Sequence, residues 1–443
     1  MYKFSEPVNS QLEMFEKSLP FSGKLDPENR WLKLASLIDW QKFEASYAET
    51  FAAIGRPGVR ARVVIGALIL KYILEVSDTE LTLQLTENPY FQYFIGLARF
   101  KSQPPFDSST LTHVRKRLGE KLFDEFEQIV INNLIEKKLI KPRALQLDAT
   151  VYESDITYPT DCGLLNKARQ YCIEQIKKLS QAVGGKVRTY CRVAQKAYVS
   201  FSKARTHTVK KVRALQKALL QYLRRNIGQL SELIVLAQEK GQAVCQKLVT
   251  TLETVKTIYD QQKTMYDNRV NSIKSRIVSF HKPYIRPIVR NKSGKKVEFG
   301  AKAALSLVDG YLFADHINFE NFNEGNQLAD SVEKFQQRFG SYPDYVAMDQ
   351  IYGSRENRNY LAQRNIRAAV KPLGRPKQDD TAEAERRWRH QKQRERNQIE
   401  GAIGNSKTNY SLGVVRAKLP ETEISWIRMS LISRNLVTAA KRI

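Results

Sequence analysis

KVEFGAKAALSLVDGYLFADHI, Lys296 to Ile317, decides the fold. Two strand-like runs, Lys296–Val308 and Tyr311–Ile317, meet at Asp309-Gly310, a pair that tolerates the left-handed backbone of a two-residue hairpin. Upstream, ALQLDATVY (Ala144–Tyr152) reads as an earlier strand. Downstream come a helix near Asn326–Phe339, a strand ending YVAMD (Tyr345–Asp349), a helix over Ser354–Arg364 and a short strand, IRAAV (Ile366–Val370). A polar, charged helix over Thr381–Tyr410 follows, and a last amphipathic helix uses Ile424, Ile427, Leu431 and Leu436.

Two helical regions flank these strands. From Trp31 to Lys138 apolar residues recur at three and four spacing, as in Val63, Val64, Ala67, Leu68, Leu70, Ile73 and Leu74. Breaks at Gly55–Gly58, at Ser77-Asp78 and at Pro104-Pro105 divide this region, giving an all-α N-terminal domain over residues 1–140. Between Asp155 and Tyr284 glycine and proline are sparse. Two apolar arms run there, Val209, Val212, Leu215, Leu219, Tyr222 and Val244, Leu248, Leu252, Val255, Tyr259, with turns at Gly184-Gly185 and Gly241. This predicts a helical hairpin or bundle inserted over 161–290. The catalytic α/β domain is then 141–160 plus 291–443. Without the insertion the order is β-β-β-α-β-α-β-α, which is similar to a ribonuclease H-like mixed sheet, where the first and fourth strands lie side by side.

The charge points to a polyanion. Lys and Arg number 72 against 46 Asp and Glu, a net +26, far beyond what solubility requires. From Gln181 to Arg225 there are about a dozen Lys and Arg, among them Lys210, Lys211 and Arg213, with Tyr190, Tyr198, Phe201 and Tyr222 interspersed and no acid. Such a stripe predicts salt-sensitive, sequence-independent DNA or RNA binding. Arg115, Lys116 and Arg117, beside His113, sit on a short helix suited to a phosphate backbone. The longest apolar run, Val63–Leu74, is interrupted by Lys71 and falls short of the ~20 residues a bilayer needs. The beginning, MYKFSEPVNS, has no charged-then-apolar layout, and four cysteines make no disulfide framework. The expected setting is a reducing cytoplasm, with no membrane.

The acids carry the chemistry. Asp148 interrupts an apolar strand and Asp349 ends one, although aspartate is depleted in strands and its burial costs several kcal/mol without compensation. If those strands are neighbours, the two carboxylates converge, and two like charges at close range call for a divalent cation. All-oxygen ligation favours Mg²⁺ or Mn²⁺ over zinc. A third ligand is expected from the late helix, where Arg396, Glu400 and Lys407 fall within about 40° of one helical face. A carboxylate flanked by two cations can hold a metal while the cations grip phosphates. Gly401 and Gly404 weaken the helix beside it and predict close approach to its backbone.

The chain resembles a DDE transposase of bacterial insertion sequences, of the insertion-sequence-five type within the group related to insertion sequence four. GRPG (Gly55–Gly58), SDTEL…ENPYFQYFIGL (Ser77–Leu97) and PFDSSTLTHVRKRLG (Pro105–Gly119) resemble that group's N-terminal domain. LDATVYESDITYPTD (Leu147–Asp161) resembles the region of its first catalytic Asp, and VEFGAK (Val297–Lys302) with MDQIYGSRENRNYL (Met348–Leu361) the block leading to its second. The third block is Tyr, two residues, Arg, three, Glu, six, Lys. Arg396, Glu400 and Lys407 fit it, while Gln393 stands in place of the Tyr. The resemblance implies that Asp148, Asp349 and Glu400 are the catalytic, metal-binding triad and that Arg396 and Lys407 contact DNA. It further implies Mg²⁺ (or Mn²⁺) as cofactor, two-metal phosphoryl transfer, terminal inverted repeats and target DNA as partners, a homodimer in the DNA complex, and a bacterial, nucleoid-associated setting. A catalytically inactive DNA-binding relative is the competing reading; it accounts for the charge but not for three acids in this order.

Overall fold

The computed structural model describes residues 11–20, 23–52, 58–292, 295–374 and 380–443, so Gly55, Arg56 and Pro57 of the GRPG motif lie outside the described residues. The chain divides into two compact units, Met1–Asp155 with Ala301–Ile443, and Ile156–Gly300.

The first unit opens with helices α1 (Gln11–Glu16), α2 (Arg30–Ala35), α3 (Trp40–Ala48), α4 (Ala61–Leu74), α5 (Asp78–Glu87), α6 (Pro89–Phe94), α7 (Thr110–Arg117) and α8 (Glu120–Glu136). Every residue of α4 from Ala61 to Tyr72 is buried, as a helix apolar on all sides requires. Gly66 makes room for a neighbour, since a Cβ there would lie 3.2 Å from the Ile95 side chain. The Ser77 hydroxyl caps α5 by accepting the Glu80 N–H at 3.0 Å, and Asn88 caps α6, which carries Pro89 in its first turn. The chain then enters β1 (Ala144–Glu153).

The second unit is a helical bundle of α9 (Asp161–Val183), α10 (Cys191–Ser202), α11 (Val209–Glu239) and α12 (Gln246–Asn268). Its core joins Leu165, Ala168, Cys172 and Ile176 to Leu219, Leu223 and Leu230 and to Leu252, Val255 and Ile258. Gly184 and Gly241 take the left-handed conformation that stops α9 and turns the chain after α11. The two arms read from sequence lie on α11 and α12, while α9 and α10 add two further helices. A strand the sequence reading did not anticipate, β2 (Pro287–Lys292), pairs antiparallel with the first part of β3 (Lys295–Val308), with Ile288 opposite Glu298.

The first unit resumes along β3 and continues through β4 (Tyr311–Asn318), α13 (Leu328–Phe339), β5 (Tyr345–Ala347), α14 (Arg355–Gln363), β6 (Arg367–Ala369), α15 (Asp380–Asn409) and α16 (Pro420–Ala440). The hairpin forms as expected: Val308 pairs with Tyr311, and Asp309 and Gly310 both have positive φ, 49° and 85°. The strands are ordered β4-β3-β1-β5-β6. Antiparallel β3 and β4 sit to one side, and β1, β5 and β6 run parallel, so the sheet is mixed and the first and fourth predicted strands are neighbours. The Asn435 side chain of α16 accepts the Leu312 N–H at 2.9 Å and donates to the Leu312 carbonyl at 2.8 Å, satisfying both backbone groups of one residue of β4. Among the described residues no helix is long and apolar enough to cross a membrane.

β5 differs from expectation in its end. It stops at Ala347, two residues before Asp349, because the Asp349 carboxylate accepts the Gln350 N–H at 2.6 Å and turns the chain into a 3₁₀ turn over Gln350–Tyr352.

Candidate active site

Asp148 breaks the buried run of β1. Leu145, Gln146 and Leu147 before it and Ala149 to Tyr152 after it are buried, whereas Asp148 is half-buried. Its Oδ1 accepts the Ala149 N–H at 2.8 Å. β1 and β5 pair in parallel with Ala144 opposite Tyr345 and Gln146 opposite Ala347. Asp148 and Asp349 each follow this last pair by two residues, Asp148 within β1 and Asp349 where the chain has left β5. Asp349 is exposed.

Tyr352, three residues after Asp349, is buried, 2 % exposed. Burial, and after it the carboxylates of Glu324, Asp148, Asp315 and Asp349, push its hydroxyl well above the usual phenol value. Glu324 starts a 3₁₀ turn over Glu324–Gln327 that packs against the turn behind Asp349. The Asn357 amide joins them, donating to the Gly325 carbonyl at 2.8 Å and the Tyr352 carbonyl at 2.9 Å. A Cβ at Gly325 would lie 2.6 Å from the Ile351 carbonyl oxygen, so this approach needs glycine. Buried Lys302 of β3 pairs with Glu324 at 3.0 Å and donates to Asn321 Oδ1 at 3.1 Å and the Phe322 carbonyl at 2.8 Å. Lys302 and Tyr352 both fall within blocks quoted from the sequence without a role of their own, and Glu324 falls in none. The available signal was a lysine in an otherwise small and apolar strand, the same anomaly that marks Asp148.

Helix α15 carries the third predicted acid. Gln393 donates to the Met348 carbonyl at 2.9 Å and to the Ala369 carbonyl. Lys407 donates to the Val151 carbonyl of β1 at 2.7 Å, and its ammonium lies 5.6 Å from the centre of the Tyr152 ring. Ile399 is fully buried, whereas the neighbouring Glu400 side chain is 58 % exposed and pairs with Arg396 at 3.2 Å. The Arg396 side chain is 13 % exposed, and its Nε is buried without a hydrogen-bond partner among the described residues. Asp148 on β1 and Asp349 after β5 thus follow two neighbouring strands, while Glu400 on α15 is exposed and held by Arg396. Among the described residues no three His, Cys, Asp or Glu side chains are arranged to hold a metal ion. The donor chemistry of the three acids, oxygen throughout, still suits a hard divalent cation. The approach expected at Gly401 and Gly404 is not made by the chain: a Cβ at either would meet nothing within 4 Å.

The basic residues fall into two kinds. Arg115 makes a two-pronged pair with Asp78, which Lys71 also holds at 2.8 Å; its side chain is only 11 % exposed. Lys116 and Arg117 are exposed on α7, with the Arg117 guanidinium 4.0 Å from the centre of the Phe51 ring. In the second unit Lys210 and Lys211 are exposed in the first turn of α11, while Arg213 donates to the Tyr266 carbonyl at 3.2 Å and lies over the Tyr266 ring.

Comparison with known proteins finds two family models. Residues 20–117, which include α7 and its cations, match the family described as Transposase domain (DUF772). Residues 346–437, which hold Asp349, Gln393, Arg396, Glu400 and Lys407, match the Transposase DDE domain. An uncharacterised protein, ORF8 in the nfe locus of Rhizobium meliloti, is 30% identical over 198 residues, 44% of this chain and 93% of that protein. No solved structure matches.

Proposed function

Because the chain belongs to the DDE transposases, we propose that it binds the terminal inverted repeats of an insertion sequence, cleaves the element ends and joins them to target DNA. Its assignment to the insertion-sequence-five type rests on the blocks quoted above. The core is read as ribonuclease H-like, and the strand order β4-β3-β1-β5-β6 supports this.

The observation that carries the proposal is the parallel pairing of β1 with β5, the strands that carry Asp148 and lead into Asp349. These acids and Glu400 would hold Mg²⁺ or Mn²⁺. When bound, such ions supply Lewis-acid activation of the attacking oxygen and relieve charge on the leaving oxygen. For Glu400 to join the pair its carboxylate would have to leave Arg396, whose guanidinium would then be free to meet a phosphate. That exchange couples DNA arrival to assembly of the site. Lys407 sits on the same stripe of α15, beside β1, where it would meet the next phosphate. In cleavage a water oxygen bonds to the phosphorus and the 3′-oxygen of the element end leaves. In transfer that freed 3′-hydroxyl bonds to a target phosphorus and a target 3′-oxygen leaves. Each step exchanges one P–O bond for another, so neither needs a nucleotide cofactor. Work on two ends implies a homodimer in the DNA complex. Lys116 and Arg117 of α7, with Lys210, Lys211 and Arg213 of α11, would meet the DNA backbone.

Strand cleavage of end-containing DNA in Mg²⁺ tests the reading. Asp148→Ala, Asp349→Ala and Glu400→Ala are each expected to abolish cleavage while DNA binding persists; unchanged cleavage in all three would remove the site. Strand-transfer products separate a transposase from a nuclease of the same fold. The inactive-relative reading is not favoured, since all three acids are present.

A further inference from the structure

Helix α15 sorts its charges by side. Glu385 is held by Arg367 of β6 at 2.7 Å, and Glu395 by Lys392 at 2.8 Å and by the Tyr345 hydroxyl of β5 at 3.0 Å. Trp388 lies on that inner side, its ring 5.7 Å from the Tyr345 ring and its centre 3.6 Å from the Arg367 guanidinium. Fully buried Ile399 continues the same side. At 100° per residue, Arg386, Arg387, His390 and Arg394 fall within about 100° of arc on the opposite side, and all four are exposed. With Gln391 they line an open cleft of about 380 Å³.

This segregation leaves cations without acids. Exposed helices commonly pair opposite charges three or four residues apart. No acid stands at those spacings from His390 or Arg394, and among the described residues only Arg387 of the four makes an ion pair, with Glu383 at 3.6 Å. Beyond Arg394 the face continues through exposed Asn397, Gly401 and Gly404, and a Cβ on either glycine would meet nothing within 4 Å. A protein partner would want an apolar or aromatic centre, but Trp388 is turned inward and the outer side chains from Arg386 to Asn397 are all polar. Charge complementarity therefore selects a polyanion.

We propose that this outer face of α15, carried by Arg386, His390 and Arg394, is a contact surface for the DNA backbone, separate from Arg396 and Lys407 of the third family block. The inference rests on the reading of the chain as a protein that acts on DNA, and on no metal. The three side chains are spaced about 6 Å apart along the helix axis, and a strand laid along them passes Glu400 about 9 Å of rise beyond Arg394. The face thus holds DNA against the helix that carries the third acid. Contacts to phosphate position the duplex and carry no sequence information.

The test uses the full chain and a mixed-sequence DNA duplex, with affinity measured across a salt series and thermal unfolding recorded alongside. Arg386→Gln with Arg394→Gln is expected to lower the slope of log affinity against log salt by about 1.8, while the melting temperature stays within about 2 °C of the parent, since both side chains are exposed and unpaired among the described residues. Arg386→Lys with Arg394→Lys keeps both charges and is expected to keep the parent slope. Should the double glutamine variant not fold, Arg386→Gln and Arg394→Gln singly are each expected to lower the slope by about 0.9. Two controls are expected to leave it unchanged: Arg389→Gln, on the same helix but bound to the Glu385 carbonyl at 3.2 Å, and Lys441→Gln, exposed just past the end of α16. An unchanged slope in the double glutamine variant, or an equal fall per charge in Lys441→Gln, would overturn the proposal. If the parent binds no DNA, the reading of the whole chain fails with it; if the parent binds with a steep slope that the loss of Arg386 and Arg394 leaves untouched, only this face fails.

Discussion

Gln146 pairs with Ala347 in the parallel register of β1 and β5, two residues before Asp148 and Asp349 in their chains. In the proposed site the two carboxylates come close to one another, and like charges so placed oppose folding unless a cation joins them. Neutralising either acid relieves this. Asp148→Asn or Asp349→Asn is expected to raise the melting temperature of the metal-free protein by about 2 °C and to abolish the rise that Mg²⁺ gives the parent. Thermal unfolding with and without Mg²⁺ measures both; equal Mg²⁺ stabilisation of parent and variants would contradict the pairing.

The second prediction concerns Asp78, where Arg115 and Lys71 converge. Burial alone would raise this carboxyl, but hydrogen bonds and charge from Arg115 and then Lys71 outweigh it, and the group is held below its ordinary value of 3.8. A depressed carboxyl contributes stability that is full above the unfolded pKa and is lost as pH falls through the folded one. Asp78→Asn is therefore expected to cost about 3 kcal/mol at pH 7, by leaving two partly buried cations unpaired. The gap between parent and variant should narrow below pH 4. Unfolding by denaturant at pH 7 and at pH 3 checks this, and a gap that does not change with pH would contradict it.

These pairings also sort the cations by task. Lys116 and Arg117 are exposed on the helix where Arg115 is occupied by Asp78. Removing each phosphate contact should lower the slope of log affinity against log salt by about 0.9. Lys116→Ala with Arg117→Ala, and separately Lys210→Ala with Lys211→Ala, are expected to lower it by nearly 2 each. Arg115→Ala is expected to reduce stability and leave the slope unchanged. A salt titration of binding to duplex DNA distinguishes them, and a slope that falls only with Arg115→Ala would reverse the assignment.

The order of most elements along the chain was legible from local signals, whereas the adjacency of β1 and β5 came from likeness to a ribonuclease H-like fold. Asp309-Gly310 fixes the hairpin, and the helices between later strands have clear periodicity. Asp148 was legible for the same reason, as a charge in an apolar strand. What was not legible depends on long-range partners. β2 is a short strand that starts with proline and contains two basic residues, and only its pairing with β3 gives it away. Glu324 and Tyr352 belong to turns brought together by Asn357, with no periodic signal of their own. Arg115 reads like its neighbours along the chain, yet Asp78, 37 residues earlier, takes it out of the exposed set. The stripe Arg396, Glu400, Lys407 was visible as spacing, but not that Arg396 would occupy Glu400 in the absence of other ligands.

The most direct test of the central claim is a crystal of the full chain soaked in Mn²⁺, with data recorded for anomalous scattering. The account predicts a peak within coordination distance of the Asp148 and Asp349 carboxylates, with Glu400 turned away from Arg396 toward it once end DNA is present. Peaks confined to other acids, with Asp148 and Asp349 pointing apart in the DNA-bound crystal, would contradict it.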